Sequence, residues 1–169
     1  MGLLCTNGIS NQKKRYMKKV GTKNIENLES KIYLLRGRAL KHKIEWTEKT
    51  WNPSAGCTKV SSGCKNCYAE KMALRLQAIG MEGYENGFKF NTVPSRLNDP
   101  LKRKKPTVYF VNSMSDIFHE DMPKEYLDRI FEVIENTPYH TYQILTKRVD
   151  RMFQYLSGRA IPKNIWLGV

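Results

Sequence analysis

Between residues 107 and 169 short strand-like runs alternate with helical patterns, and this alternation constrains the fold most. Thr107 to Asn112 (TVYFVN) is β-branched, aromatic and short, which predicts a buried strand. Pro123 opens a pattern with Leu127, Ile130, Phe131 and Ile134 at helical spacing, ending near Thr137-Pro138. Thr141 to Leu145 predicts a second strand. Thr146 is placed to cap a helix with Val149, Met152, Phe153 and Leu156 inward, stopped by Ser157-Gly158. Ile165 to Val169 predicts a third strand after Pro162. Strand, helix, strand, helix, strand at this spacing predicts an α/β fold of parallel βαβ units. Chemistry in such sheets gathers at the carboxyl ends of the strands. That places Ser113, Ser115 and Asp116 after one strand and Thr146 and Lys147 after the next. The sequence stops inside its last strand-like run, so we expect the first half of a longer domain, with a C-terminal half beyond it.

Upstream, Cys67 to Ile79 predicts a helix with Ala69, Met72, Ala73, Leu76 and Ile79 on one face and Gly80 as its stop. Residues 81–106 are rich in Gly and Pro, which predicts an excursion or a functional loop. The run Lys102 to Lys105 within it reads as a solvated loop face.

Residues 1–42 read as a separate basic extension. Eleven of the 29 basic and two of the 16 acidic residues fall in the first 43, so most of the net charge of +13 sits there. Such a segment favours anionic partners by non-specific electrostatics. Ile25, Leu28, Ile32 and Leu35 allow one amphipathic helix, with Asn24 to cap it and Gly37 to end it. Met1 to Thr6 matches the permissive N-myristoylation pattern, with Cys5 as a second acylation position. The pattern is short, and a solvated leader is the preferred reading. No apolar run exceeds four residues, which excludes a transmembrane helix and a secretory signal.

Three of the four cysteines lie within eleven positions, as Cys57, Cys64 and Cys67 in a C-x6-C-x2-C loop with Gly56 and Gly63 each preceding one of them. This is not a secreted disulfide framework; it points to metal chemistry in a reducing, cytoplasmic setting. Cys67 leads into a helix, whose amino end stabilises thiolate charge. A structural zinc wants four ligands, and the fourth would come from Cys5, His42, His119 or His140. Three cysteines on an iron–sulfur cluster would leave one iron open. Three packed free thiols are the third reading.

The stretch Ile44-Glu45-Trp46-Thr47-Glu48-Lys49-Thr50-Trp51-Asn52-Pro53, with Gly56-Cys57 through Cys67-Tyr68-Ala69-Glu70, resembles a phage-associated three-cysteine protein family. That family is similar to a divergent branch of the radical S-adenosylmethionine superfamily. Asn112 to Phe118 (NSMSDIF) and Ile144 to Arg148 (ILTKR) are similar to segments of the spore photoproduct lyase branch, in the same order. The resemblance covers residues 43–169 and not the leader. It implies the N-terminal half of a partial (β/α)6 barrel, with Cys57, Cys64 and Cys67 holding a [4Fe–4S] cluster. The open iron would bind S-adenosylmethionine, and one electron from an external reductant would release a 5′-deoxyadenosyl radical. Lys147 would pair with the cofactor carboxylate; Ser113, Ser115 and Asp116 would meet its polar groups. A nucleic acid is the substrate class this kinship suggests. The superfamily's common spacing is C-x3-C-x2-C, three residues shorter, and Asn66 stands where an aromatic often precedes the third cysteine. The competing reading is a non-catalytic, zinc-bearing nucleic-acid-binding module.

Overall fold

A computed structural model of the chain describes residues 46–169. The readings made for the leader, with Cys5 and His42, lie outside these residues. Four parallel strands form one sheet in the order β1 (Lys49–Trp51), β4 (Val108–Val111), β5 (Thr141–Leu145), β6 (Ile165–Gly168). The register aligns Trp51 with Val111, Val111 with Ile144, and Ile144 with Leu167. Two short strands, β2 (Ser54–Ala55) and β3 (Asn91–Thr92), pair antiparallel beside it. Three helices complete the fold: α1 (Tyr68–Ala78), α2 (Lys124–Glu135) and α3 (Val149–Leu156). Among the described residues β1 and β6 are free edges, so the four strands form an open sheet rather than a closed barrel. No helix among them is long and apolar enough to cross a membrane.

Alternation along the strands decides which face is buried. Trp51, Tyr109, Val111, Tyr142, Ile144 and Ile165 form one core with Tyr126, Leu127, Ile130, Phe131, Val133 and Ile134 of α2. The helix α2 therefore uses the predicted stripe and widens it. From α3, Met152, Tyr155 and Leu156 join that core, whereas Val149 and Phe153 are exposed, Phe153 at 71%. The predicted inward face of α3 is thus rotated. Apolar spacing suited either face, and the aromatic bulk and hydroxyl of Tyr155 found partners on the α2 side. The opposite sheet face leaves Thr50, Leu145 and Trp166 exposed.

A polar tie reinforces the α2–α3 packing. Asp128 on α2 accepts from Tyr155 Oη at 2.8 Å, Lys124 Nζ at 3.0 Å and Arg159 Nη1. These hydrogen bonds, Tyr155 first, then Lys124 and Arg159, hold the Asp128 carboxyl down to about 2. The folded state therefore favours the carboxylate. Its contribution is full above the ordinary carboxylate range and disappears as pH falls through about 2. Asp128 is partly solvated, so Asp128→Asn should lower stability at neutral pH by only about 1 kcal/mol. Urea denaturation of both proteins should show that difference closing between about pH 4 and the folded value; a difference independent of pH would exclude this tie as its source.

A second, smaller core holds Ala69 and Ala73 of α1 against Ala55, Tyr84, Val93 and Met114, with Cys67, Met72, Leu76 and Phe88 packed beside it. Ile79, predicted on the buried face of α1, is 68% exposed because the helix ends at Ala78. The excursion at 81–106 is ordered by both cores: Tyr84 and Val93 are buried in the smaller one and Leu97 in the larger, and Trp51 Nε1 donates to Arg96 O at 2.8 Å.

Candidate functional site

Three connections leave the carboxyl ends of adjacent strands and meet there. They are the cysteine loop after β1, residues 112–123 after β4, and Thr146 to Arg148 after β5. Asn112 N–H donates to Trp51 O at 2.8 Å, and Gly56 N–H to Met114 O at 3.1 Å. Cys57 N–H donates to Phe88 O at 3.0 Å, so the excursion also seats the cysteine loop. Asn112 takes φ of 56°, a left-handed turn that asparagine tolerates better than most residues.

The serines serve this junction. Ser115 Oγ lies 2.8 Å from Ser54 Oγ and donates to Ser54 O at 3.1 Å, and Asn112 Nδ2 donates to Ser54 Oγ at 2.8 Å. Ser113 Oγ donates to Asn52 Oδ1 at 3.1 Å, while Tyr68 Oη hydrogen-bonds to Ser113 O. Asn112 Oδ1 is buried without a partner among the described residues.

Asp116 is buried and saturated. It accepts from Thr146 Oγ1 at 2.8 and 3.0 Å, Lys147 N–H at 3.1 Å, Phe118 N–H at 3.0 Å and Arg148 Nη1 at 3.4 Å. It thereby latches the loop after β4 to the loop after β5. Thr146 is not the helix cap. Arg148 takes that position, and Thr146 Oγ1 instead accepts Arg148 N–H at 2.9 Å. The threonine hydroxyl gives its proton to the buried carboxylate and takes Arg148 N–H on its oxygen, a local turn that closes just ahead of α3.

Arg148 is the hub, and its side chain is only 5% exposed. Its guanidinium reaches Cys57 Sγ at 3.4 Å, Thr58 O at 3.1 Å, Thr58 Oγ1 at 2.8 Å and Glu120 at 3.2 and 3.3 Å, besides Asp116. Along the sequence Arg148 stands only as the last residue of the ILTKR segment. Its place beside Lys147 at a strand end was the available signal. Lys147 Nζ donates to Gly63 O at 3.1 Å and lies 3.7 Å from Cys64 Sγ. Two cations from one strand end thus address two of the three cysteines.

The three cysteines are free thiols of intermediate exposure. Burial pushes the Cys57 thiol up, opposed by the Arg148 hydrogen bond. Cys64 is held down to about 7, by backbone hydrogen bonding at Val60 and Ser61, the Ser61 hydroxyl and the Lys147 charge. Cys67 occupies the N-cap of α1.

His119 is fully buried beneath this loop, stacked on Phe90 with ring centroids 4.2 Å apart. Its Nδ1 accepts Asp121 N–H at 3.1 Å, so Nε2 carries the proton toward Thr58 Oγ1 at 3.1 Å. Burial and then Arg148 depress its protonation. Both ring nitrogens are engaged. His140 precedes β5, at the end of the sheet opposite the cysteines, with Nε2 beside Pro100 O and Arg103 O. Neither described histidine stands free beside the cysteine loop as a fourth zinc ligand.

Residues 41–169 match the family described as "Protein of unknown function (DUF5131)". The chain belongs to this DUF5131 family. The matched region includes the cysteine loop, the junction at Asp116 and the Lys147–Arg148 strand end. No curated protein and no solved structure matches the chain.

Among the described residues, no three His, Cys, Asp or Glu side chains stand in a group able to hold a metal ion. In kind, the donor set of this DUF5131 member fits a thiolate-held, anionic cluster. Three unpaired thiols share one loop, cationic side chains contact two of them, and a helix amino end carries the third.

Proposed function

We propose that Cys57, Cys64 and Cys67 hold a [4Fe–4S] cluster with one open iron that binds S-adenosylmethionine, on the N-terminal portion of a radical-S-adenosylmethionine-like barrel. The observation that carries this reading is the pairing of Lys147 with Cys64 and of Arg148 with Cys57, from one strand end onto one cysteine loop. Thiolate clusters are anionic, and cations placed against the ligating sulfurs stabilise them. The resemblance of the whole motif set supports the same reading, as does its position at the carboxyl ends of parallel strands.

When bound, a reduced cluster with an open iron supplies the single electron that cleaves the sulfonium bond of S-adenosylmethionine for hydrogen abstraction from a substrate. The chain's own residues have distinct tasks. Lys147 offers a flexible ammonium to the cofactor carboxylate. Ser113 and Ser115, whose hydroxyl protons are given to Asn52 and Ser54, would meet the cofactor's donors with their remaining oxygen lone pairs. Asp116, saturated by protein donors, acts as a positioning residue through Lys147 and Arg148. A nucleic acid is the substrate class that the resemblance favours.

The test is anaerobic reconstitution of the full chain with iron and sulfide, followed by metal analysis and spin resonance of the reduced protein. A [4Fe–4S] signal that shifts on adding S-adenosylmethionine is expected. Cys64→Ala should lose the cluster. Lys147→Ala should keep it and weaken cofactor binding about tenfold, the loss of one charge-assisted contact. Stoichiometric zinc with no cluster would overturn the reading and favour the zinc-bearing module.

A further inference from the structure

The basic run at 102–105 does not face the cysteine loop. It walls a cleft of about 530 Å³ beneath the edge strand β1, together with Lys49, Thr50, Trp51, Asp99 and Tyr109. Lys49 and Tyr109 face each other at the starts of β1 and β4. The cleft therefore lies toward the amino ends of the strands, away from the Lys147–Arg148 strand end.

Its charge is concentrated and largely uncompensated. Lys49, Lys102, Arg103, Lys104 and Lys105 line it against the single carboxylate of Asp99. That carboxylate is already used by Lys102 at 2.8 Å. Among the described residues, Lys49, Lys104 and Lys105 make no ion pair. The lysines are exposed, but the scaffold under them is fixed. Arg103 Nε donates to Thr107 Oγ1 at 2.5 Å, Arg103 O lies 3.1 Å from His140 Nε2, and Trp51 Nε1 anchors to Arg96. Folding thus brings a lysine of the edge strand against a loop of four cations and leaves them mutually repelling.

We propose that this cleft is a binding site for an anion carrying several phosphate groups. Like charges gathered around a concave surface focus the potential there and attract polyvalent anions. Three free ammonium groups suit successive phosphates better than a single carboxylate. The volume accommodates a small polyphosphate, and the open side admits a stretch of nucleic-acid backbone. The proposal is independent of any cluster at the cysteine loop.

The test uses the full chain with two probes, inorganic tripolyphosphate and a fluorescent single-stranded DNA 20-mer, in anaerobic buffer at several salt concentrations. The variant K49A/K104A/K105A removes the three unpaired lysines. A second variant replaces Lys13, Lys14, Arg15, Lys18 and Lys19 of the leader with glutamine. The cleft variant should bind at least one probe about tenfold more weakly, and for DNA its salt slope should fall by about 2, near 0.7 per phosphate contact. Weakening for DNA alone identifies nucleic acid as the source of the phosphates. Weakening for tripolyphosphate identifies a free polyphosphate as sufficient. Binding of both probes unchanged in the cleft variant, or lost only in the leader variant, would overturn the proposal, as would no binding by the parent chain. All three positions are exposed, so the melting temperature should stay within a few degrees. Charge reversal at Lys104 and Lys105 gives a second, stronger variant.

Discussion

Gly56→Ala should destabilise the protein by about 2–5 kcal/mol, summing a left-handed alanine and an overpacked contact. Gly56 has φ of +76°, and a Cβ there would stand 2.2 Å from Lys89 O and 2.7 Å from Phe88 O. The obstacle is backbone, not the end of a flexible side chain, so it cannot simply swing away. That backbone is held in turn: Phe88 O accepts Cys57 N–H, and Gly56 N–H is bonded to Met114 O. Relief therefore means separating the cysteine loop from the excursion at 81–106 or from the junction after β4. Chemical denaturation should show the lower stability, and Cys57 should react faster with a thiol reagent as its seat opens. Gly80→Ala is the control, because it also has positive φ, at +67°, but meets nothing within 4 Å. Equal effects at the two positions would show that the close approach to Lys89 is immaterial.

Arg148→Ala should rank next, lowering stability by about 2–3 kcal/mol, the cost of stripping charged hydrogen bonds from a buried partner. Asp116 keeps Thr146 and two backbone donors, which holds the figure below that of a fully orphaned charge. Thr58 and Cys57 lose their main cationic neighbour at the same time. Arg148→Lys should rescue little. An ammonium cannot span Cys57, Thr58, Asp116 and Glu120, as the planar fork does. Differential denaturation of the three proteins would decide it, and full rescue by lysine would reduce the hub to a point charge. Surface pairs such as Lys59–Glu70, 2.9 Å apart but exposed, should change stability by less than about 1 kcal/mol when broken.

The ranking shows where the site's rigidity resides. Neither Gly56 nor Arg148 is one of the three cysteines, yet each fixes where they sit. The cysteine loop contributes few buried apolar groups of its own; only Cys67 packs into the smaller core. Its position depends on backbone hydrogen bonds at Gly56 and Cys57 and on side chains arriving from β5. Ser54, fully buried on β2 just ahead of the loop, is tied to Asn112 and Ser115 in the same manner.

Much of the architecture was legible along the chain. The helix at 124–135 follows from its apolar periodicity, and the strands at 108–111, 141–145 and 165–168 from short β-branched and aromatic runs set between helical patterns. The strand Lys49–Trp51 left little trace, since three residues with only Trp51 buried carry no period. The pair β2–β3 is shorter still. The inward face of α3 was misread because Val149 and Phe153 share the helical spacing of a buried stripe, and only the neighbouring α2 decides which side of the helix meets the core.

For the site, sequence alone determined the residue types and their order: three cysteines on a glycine-flanked loop, then Ser113 to Asp116, then Thr146 to Arg148. It determined the strand ends on which the last two groups sit. Tertiary structure decided which groups touch. It turned Asp116 into a latch between two loops, made Arg148 the bridge to Cys57, and set Lys147 against Cys64. It engaged both nitrogens of His119, and it gathered Lys49 with the cations of 102–105 at the opposite end of the sheet. Local spacing fixes where a side chain leaves the backbone. Its partners come from segments some 30 to 90 residues away, brought together only when parallel strands pair in register.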